Sequence, residues 1–224
     1  MHMNDASLAR LFQLISPSLP IGGYSYSQGV EWAVEQGWIS NEVEAQEWLN
    51  GLLHTNMLYV DLPVLLRMMR AWNSGDEQAL ARWNEYLLAS RETAELRQEE
   101  VHRARAFTDV LINLEQSAAS VRPLLLKTQH ACFSFACVRW GIAPQQASYG
   151  LLWSWLENLT LAAVKIIPLG QAAGQRILFN LSQQFVQIIG QALQLEDDDL
   201  GASCMAQTIA SCRHETQYSR LFRS

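Results

Sequence analysis

Lysine is nearly missing from this chain: Lys127 and Lys165 are the only two among 224 residues, against fourteen arginines. With a net charge of −6 there is no clustered cationic stretch of the kind that neutralises a run of phosphates, which sets nucleic acid aside as a partner. Cysteine is sparse too. Cys132, Cys137, Cys204 and Cys212 are too few and too unpatterned to staple a chain of this length, and they read as reduced thiols. Met1 to Arg10 lacks a basic stretch followed by an apolar run, so no secretory signal is expected and the cytoplasm is the expected compartment. An uninterrupted apolar run of about 20 residues, the length that spans a bilayer, is also missing. Leu151 to Leu169 comes nearest, and Glu157, Asn158 and Lys165 interrupt it, so a buried helix is expected there and no membrane.

Ligand sets and catalytic patterns are absent as well. No HExxH or CxxC spacing occurs, so no built-in metal cage is expected. His130 and Cys132 stand two apart, a spacing that points to different sides of a helix, and both read as packing residues. Cys204 and Cys212 lie eight apart and lack a closed ligand geometry. The segment Gly170-Gln171-Ala172-Ala173-Gly174-Gln175-Arg176 has the look of a phosphate loop without the lysine and the Ser/Thr that reach phosphate and magnesium. Glu196-Asp197-Asp198-Asp199 has no second acidic cluster to face and reads as a solvated surface loop. No nucleophile elbow is present. The chain is expected to have no catalytic residue and to hold no cofactor stably; an all-helical enzyme with a distributed active site is the contrasting possibility.

Apolar residues are plentiful, 49% against 17% charged, which suffices for one large core. Their spacing is helical. Leu8, Leu11, Phe12 and Ile15 follow an Asp5 cap at i, i+3, i+4 and i+7. Two prolines and two glycines between Ser16 and Gly23 enforce a loop. Further helices are expected from about Ser27 to Gln36, stopped by Gly37; behind Ser40, carrying Trp48, Leu49, Leu52 and Leu53; from Asp61-Leu62-Pro63; and behind Asp76, with Leu80, Trp83 and Leu87 buried. Ser90 to Leu114 is dense in glutamate and arginine, including Glu99 four residues before Arg103, and reads as a solvated face. Pro144 opens a long helix that must stop near Pro168, and Gly170 to about Leu195 forms another. No segment alternates long enough for a strand and no repeat is visible. The expected fold is all-α, a single-domain multi-helix bundle over residues 1–224.

The last dozen residues hold three arginines, a glutamate and an aromatic pair, types enriched at interface anchors, in a place where chains usually fray. A tail of that kind either orders on a partner or folds back on its own domain. Tyr24 and Tyr26 beside Gly22 and Gly23 present the same choice between displayed and buried aromatics.

Four segments, in order, carry a resemblance: Ser16-Pro17-Ser18-Leu19-Pro20-Ile21-Gly22-Gly23-Tyr24-Ser25-Tyr26-Ser27-Gln28-Gly29-Val30-Glu31; Arg91-Glu92-Thr93-Ala94-Glu95-Leu96-Arg97; Ala163-Val164-Lys165-Ile166-Ile167-Pro168-Leu169-Gly170-Gln171; and Arg213-His214-Glu215-Thr216-Gln217-Tyr218-Ser219-Arg220-Leu221-Phe222-Arg223-Ser224. Together they resemble the UreF family of urease accessory proteins. The resemblance implies a non-enzymatic, all-helical component of a nickel-metallochaperone complex. Such a protein dimerises, binds the accessory protein UreD (also called UreH) and the GTPase UreG, and serves the urease apoprotein, with nickel and GTP handled by the assembled complex. It further implies terminal segments, 1–7 and about 205–224, ordered by partners. Tyr24, Glu31, Lys165, Arg213, His214, Glu215, Gln217, Tyr218, Arg220, Leu221, Phe222 and Arg223 are the implied partner-binding residues. Two modes of action stay open: a scaffold that shifts the GTPase between states, and an activating factor that supplies an arginine in trans.

Overall fold

The computed structural model describes residues 5–224, and among them there are helices, turns and loops but no strand. The all-α expectation holds. The helices are α1 (Asp5–Ile15), α2 (Val30–Glu35), α3 (Glu42–Leu52), α4 (Leu62–Ser74), α5 (Glu77–Ala89), α6 (Ala94–Leu114), α7 (Arg122–Leu125), α8 (Gln129–Arg139), α9 (Pro144–Ile166), α10 (Gln171–Ser182), α11 (Phe185–Ala192) and α12 (Met205–His214). None of the described helices is long and apolar enough to cross a membrane.

Helix α8 is the hub. Every residue from His130 to Cys137 is buried, so this short helix is packed on all sides, against α4 and α6 above all. Burial pushes the Cys132 thiol up to about 12 and Cys137 higher still, which keeps both inert. Around α8 and α9 runs the main core, including Leu49, Met69, Phe107, Leu152 and Phe185. A smaller core of Val64, Met68, Leu80, Trp83 and Leu87 joins α4 to α5, as the apolar stripe of α5 predicted.

The structure departs from the sequence expectations at several helices. Asp5 lies inside the first described turn of α1, and residues 1–4 lie outside the described residues. The buried face of α1 is Leu11 and Leu14, while Leu8 and Phe12 are exposed. Gly150 on α9 sets this geometry, because a Cβ there would stand 2.6 Å from Leu11 Cδ1. Helix α2 begins at Val30, since Gln28 and Gly29 both have positive φ (53° and 87°). The stretch from Gly170 to Leu195 is two helices with a break at Gln183–Gln184.

Between α3 and α4 the chain does not stop; it widens into a π-helix over Leu53–Asp61. Pro63 explains the widening, for it has no N–H to offer the Tyr59 carbonyl one turn back. Leu62 N–H donates to Met57 O, and the Tyr59 carbonyl accepts from Gly201 N–H at 3.1 Å. A loop distant in sequence thereby satisfies the group that proline leaves unpaired.

Helices α3 and α10 run parallel and are pinned side by side. Glu42 pairs with Arg176 and Gln46 with Asn180, and Asn50 continues the series to Gln184 in the turn just past α10, each pair 134 positions apart. Arg67 crosses from α4 to Asp197 at 2.6 Å, tying down the acidic loop read as solvated; the Asp197 side chain itself is largely exposed.

The largest departure is α6. Glu95, Glu99, Glu100 and Arg103 are all buried, so its charged run is an internal feature and not the solvated face expected. An i, i+4 Glu–Arg spacing reports only that two residues share a side of the helix, and here that side faces inward.

Candidate partner-docking site

Glu31 anchors the C-terminal tail. Its carboxylate accepts the backbone N–H of Leu221 (2.6 Å) and of Phe222 (2.8 Å). His214, fully buried, stands between two carboxylates, Nδ1 at 2.7 Å from Glu95 and Nε2 at 3.3 Å from Glu31. Glu95 also accepts from Arg220 at 2.7 Å. Backbone pairing extends the grip: Arg223 N–H donates to Ser25 O and Ser27 N–H to Ser224 O, both at 2.8 Å. Phe222 is buried, with the Lys165 ammonium 5.9 Å from its ring centre. The tail, expected to take shape on a partner, makes these contacts within its own chain while Tyr218 and Leu221 stay exposed.

The loop that receives it is held in a strained shape. Gln28 has a left-handed φ of 53°, costing about 1–2 kcal/mol for a residue with a side chain. Three contacts hold it: its Nε2 donates to Glu99 (3.0 Å), its Oε1 accepts from Trp155 Nε1 (3.4 Å) and its carbonyl accepts from Gln207 (3.4 Å). Burial raises the Glu99 carboxyl above its usual range, against the pull of Arg103 and Gln28. A cavity of about 30 Å³ lies among Gln28, Asn56, Glu99, Trp155 and Gln207. It exceeds the roughly 10–15 Å³ that one water needs.

Deeper in, Arg91 joins Asp61 and Glu100, with Nη2 at 2.6 and 2.7 Å from one oxygen of each. His130 Nε2 lies 3.1 Å from Asp61 and Nδ1 3.8 Å from Glu100, near enough for ion pairing although neither nitrogen is well aligned for a hydrogen bond. Burial alone would raise both carboxyls, but Arg91 and His130 outweigh it, holding Glu100 at about 2 and Asp61 well below the usual range. The same carboxylates raise His130 despite the burial that opposes its charge.

Asp61, Glu100 and His130 bring ligand atoms within 4.8 Å of one another, a spacing a metal ion could accept. The guanidinium argues against that use, because it already occupies the two carboxylate oxygens that would face the ion. The group is an ion-pair quartet that welds the end of the π-helix to α6 and α8.

The segment Arg91 to Arg97 shows what each of its residues does. Arg91 centres the quartet. Glu92 accepts from Ser203, and Thr93 caps α6 through Leu96 N–H while its hydroxyl meets Ser211 at 2.8 Å. Ala94 and Glu95 N–H donate to Glu215, Glu95 binds His214 and Arg220, and Arg97 donates to the Arg91 carbonyl. The four sequence segments singled out above therefore converge on one place: the loop, α6, the end of α9 and the tail.

Of the implied partner-binding residues, Glu31, His214 and Phe222 are buried among these contacts. Tyr24, Lys165, Arg213, Glu215, Tyr218, Arg220, Leu221 and Arg223 are exposed, and Gln217 is half-buried. Glu95, Glu99, Arg91, Asp61, Glu100 and His130 were not singled out as site residues. The placement of Arg91 and Glu95 in the second of the four segments was the available signal, but their partners Asp61, His130 and His214 are remote in sequence.

The UreF family model matches residues 39–182. Full-length similarity extends beyond it at both ends. The urease accessory protein UreF of Alcanivorax borkumensis is 51% identical over 99% of this chain and 100% of its own length. Those of Alkalilimnicola ehrlichii and Pseudomonas putida are each 44% identical, over 96% and 99% of this chain and 95% and 99% of theirs. Agreement on that scale covers the loop, α6 and the tail together, and on it the chain belongs to the UreF family of urease accessory proteins.

Proposed function

We propose that this protein is a non-catalytic adaptor that bridges a UreD/UreH-type accessory protein and a UreG-type GTPase, so that the assembled complex handles nickel and GTP for the urease apoprotein. The observation carrying this reading is the tail junction. Buried Glu31 holds the backbone of Leu221 and Phe222, and Glu95, with His214 beside it, holds the Arg220 side chain, while Tyr218 and Leu221 remain outside, with Tyr218 wholly exposed and Leu221 at 69%. Apolar side chains displayed on a backbone this well anchored form a preorganised surface, which lowers the ordering cost of binding. Tyr24, 66% exposed on the adjoining loop, extends it.

Of the exposed tail arginines, Arg220 is engaged with Glu95, which favours scaffold action over a catalytic role for that arginine. A second copy of the chain is the proposed occupant of another face. Phe179 is 69% exposed beside Trp153 and Leu178 at a hollow of about 430 Å³ on α9 and α10.

The test is reconstitution with the cognate UreD/UreH and UreG proteins, nickel and GTP, followed by size-exclusion chromatography with light scattering. Three chains are compared: full length, truncated after Gln217, and Phe179→Glu. The truncation leaves His214 between its carboxylates but takes the Leu221, Phe222 and Arg220 donors from Glu31 and Glu95, so its fold is verified by circular dichroism before mixing; folded, it should fail to take up UreD/UreH. Phe179→Glu should halve the mass of the assembly. Undiminished assembly by the truncated chain would sink the adaptor reading of the tail.

A further inference from the structure

The first half of α6 sorts its charges by side. Glu95, Glu99 and Glu100 point inward and are engaged by His214 and Arg220, by Arg103 and Gln28, and by Arg91. The exposed positions of the same turns are Arg97, Gln98, His102 and Arg105. Gln98, His102 and Arg105 recur at i, i+4 and i+7, so they form one outward stripe. Beside that stripe the tail sets Arg220 and Arg223, both exposed, around an open hollow of about 510 Å³ floored by Tyr26 and Phe222.

Glu95 is the one carboxylate in the wall of this hollow, and its oxygens are taken by Arg220 and His214. Among the described residues, the ion pairs made by arginines involve Arg67, Arg91, Arg103, Arg139, Arg176 and Arg220, leaving Arg105 and Arg223 with no carboxylate. Asp109, also exposed, stands a turn beyond Arg105, and the Glu215 carboxylate is occupied by the start of α6. A protein of net charge −6 therefore carries here a compact positive face over an aromatic floor.

We propose that this face docks an acidic segment of a partner protein, its carboxylates received by His102, Arg105 and Arg223. The proposal rests on the adaptor reading above and names the chemistry of the partner that meets the tail. Guanidinium forks match carboxylates in geometry, and the aromatic floor supplies contact area between them. A polyphosphate is the poorer fit, because a few cations in an overall acidic protein do not offset long-range repulsion of a polyanion.

The test uses the full chain with His102→Glu and Arg105→Glu together, two solvent-side changes that leave the Glu31, Glu95 and His214 contacts in place. Binding to purified UreD/UreH is measured by biolayer interferometry at low and high salt, beside wild type and the chain truncated after Gln217. The double variant should bind about tenfold or more weakly at low salt, through slower association, and its affinity should depend less on salt than that of wild type. Wild-type affinity and salt dependence in the double variant would overturn the proposal. If the truncated chain loses binding in that case, the adaptor reading stands without this face; if it also binds normally, both fall. A short DNA duplex that binds the wild type at physiological salt, and not the double variant, would also overturn it by assigning the face to nucleic acid.

Discussion

Arg91 grips Asp61 with both terminal nitrogens, Nη2 to Oδ1 at 2.6 Å and Nη1 to Oδ2 at 3.2 Å, and with Nη2 it holds Glu100 as well. One planar cation thus satisfies two buried carboxylates from different helical segments, a geometry an ammonium cannot reproduce.

Removing that cation strands the carboxylates. Arg91→Met is expected to cost about 3–5 kcal/mol, the range for breaking a buried pair from one side. Arg91→Lys should recover part of it. Urea denaturation of the three chains measures both, and an Arg91→Met midpoint equal to wild type would show that the quartet contributes nothing to the fold.

Glu31 governs the tail more than the body. Glu31→Ala removes two charge-assisted hydrogen bonds to Leu221 and Phe222, each worth roughly 1.5–3 kcal/mol. The expected outcome is faster amide exchange across residues 218–224, with the core of α8 as protected as before. Hydrogen exchange read by mass spectrometry resolves the two regions, and unchanged tail protection would assign the anchoring elsewhere.

The quartet sets two opposite pH dependences. His130 has a raised value in the folded state, so its contribution is fully present below its unfolded value of about 6.5 and is lost as pH rises through the folded value. Glu100 and Asp61 are lowered, so theirs is present above the unfolded carboxylate range and is lost as pH falls towards about 2 for Glu100, and lower for Asp61. His130→Gln should flatten the decline on the alkaline side and, because His130 also helps hold Asp61 and Glu100 low, weaken the acid limb while Arg91 keeps part of it. Stability measured against pH for both chains tests this, and an alkaline limb unaltered in His130→Gln would remove His130 from the account.

Gly29 and Gly37 both have positive φ, 87° and 74°, but differ in surroundings. A Cβ on Gly29 would lie 3.0 Å from Ser211 N and 3.1 Å from Ala210 Cβ, whereas one on Gly37 meets nothing within 4 Å. Gly37→Ala should cost the backbone term alone, about 1–2 kcal/mol. Gly29→Ala should cost more and also loosen the tail, by pushing α12 from α2. Equal melting temperatures would refute the steric half of this argument.

Local signals were legible where local physics decides. Gly75 and Asp76, Pro144, and the Leu80, Trp83 and Leu87 stripe all fall where capping and periodicity place them. The side on which α6 hides its charges was not legible, because an acidic and basic helix looks the same in sequence whether water or Arg91, His214 and Arg220 answer its carboxylates. Those partners come from positions 9 to 125 residues away from the carboxylates they meet. The π-helix was hidden for a similar reason: Pro63 announces a break, and only the Gly201 N–H, far along the chain, makes continuation possible.

The bridges from Glu42, Gln46 and Asn50 recur at every fourth position along α3, and their partners Arg176, Asn180 and Gln184 at every fourth position along α10 and the turn that follows it. Sliding one helix by a single residue moves each partner by about 1.5 Å along the axis and about 100° around it, breaking every bridge at once. Each bridge alone is weak and replaceable, two of them exposed and the third half-buried, yet together they admit one alignment and reject its neighbours. The seam therefore behaves as a keyed joint. It fixes how far α10 can travel relative to the helical rod beside it, and so the phase at which Phe179 is presented to whatever meets that face.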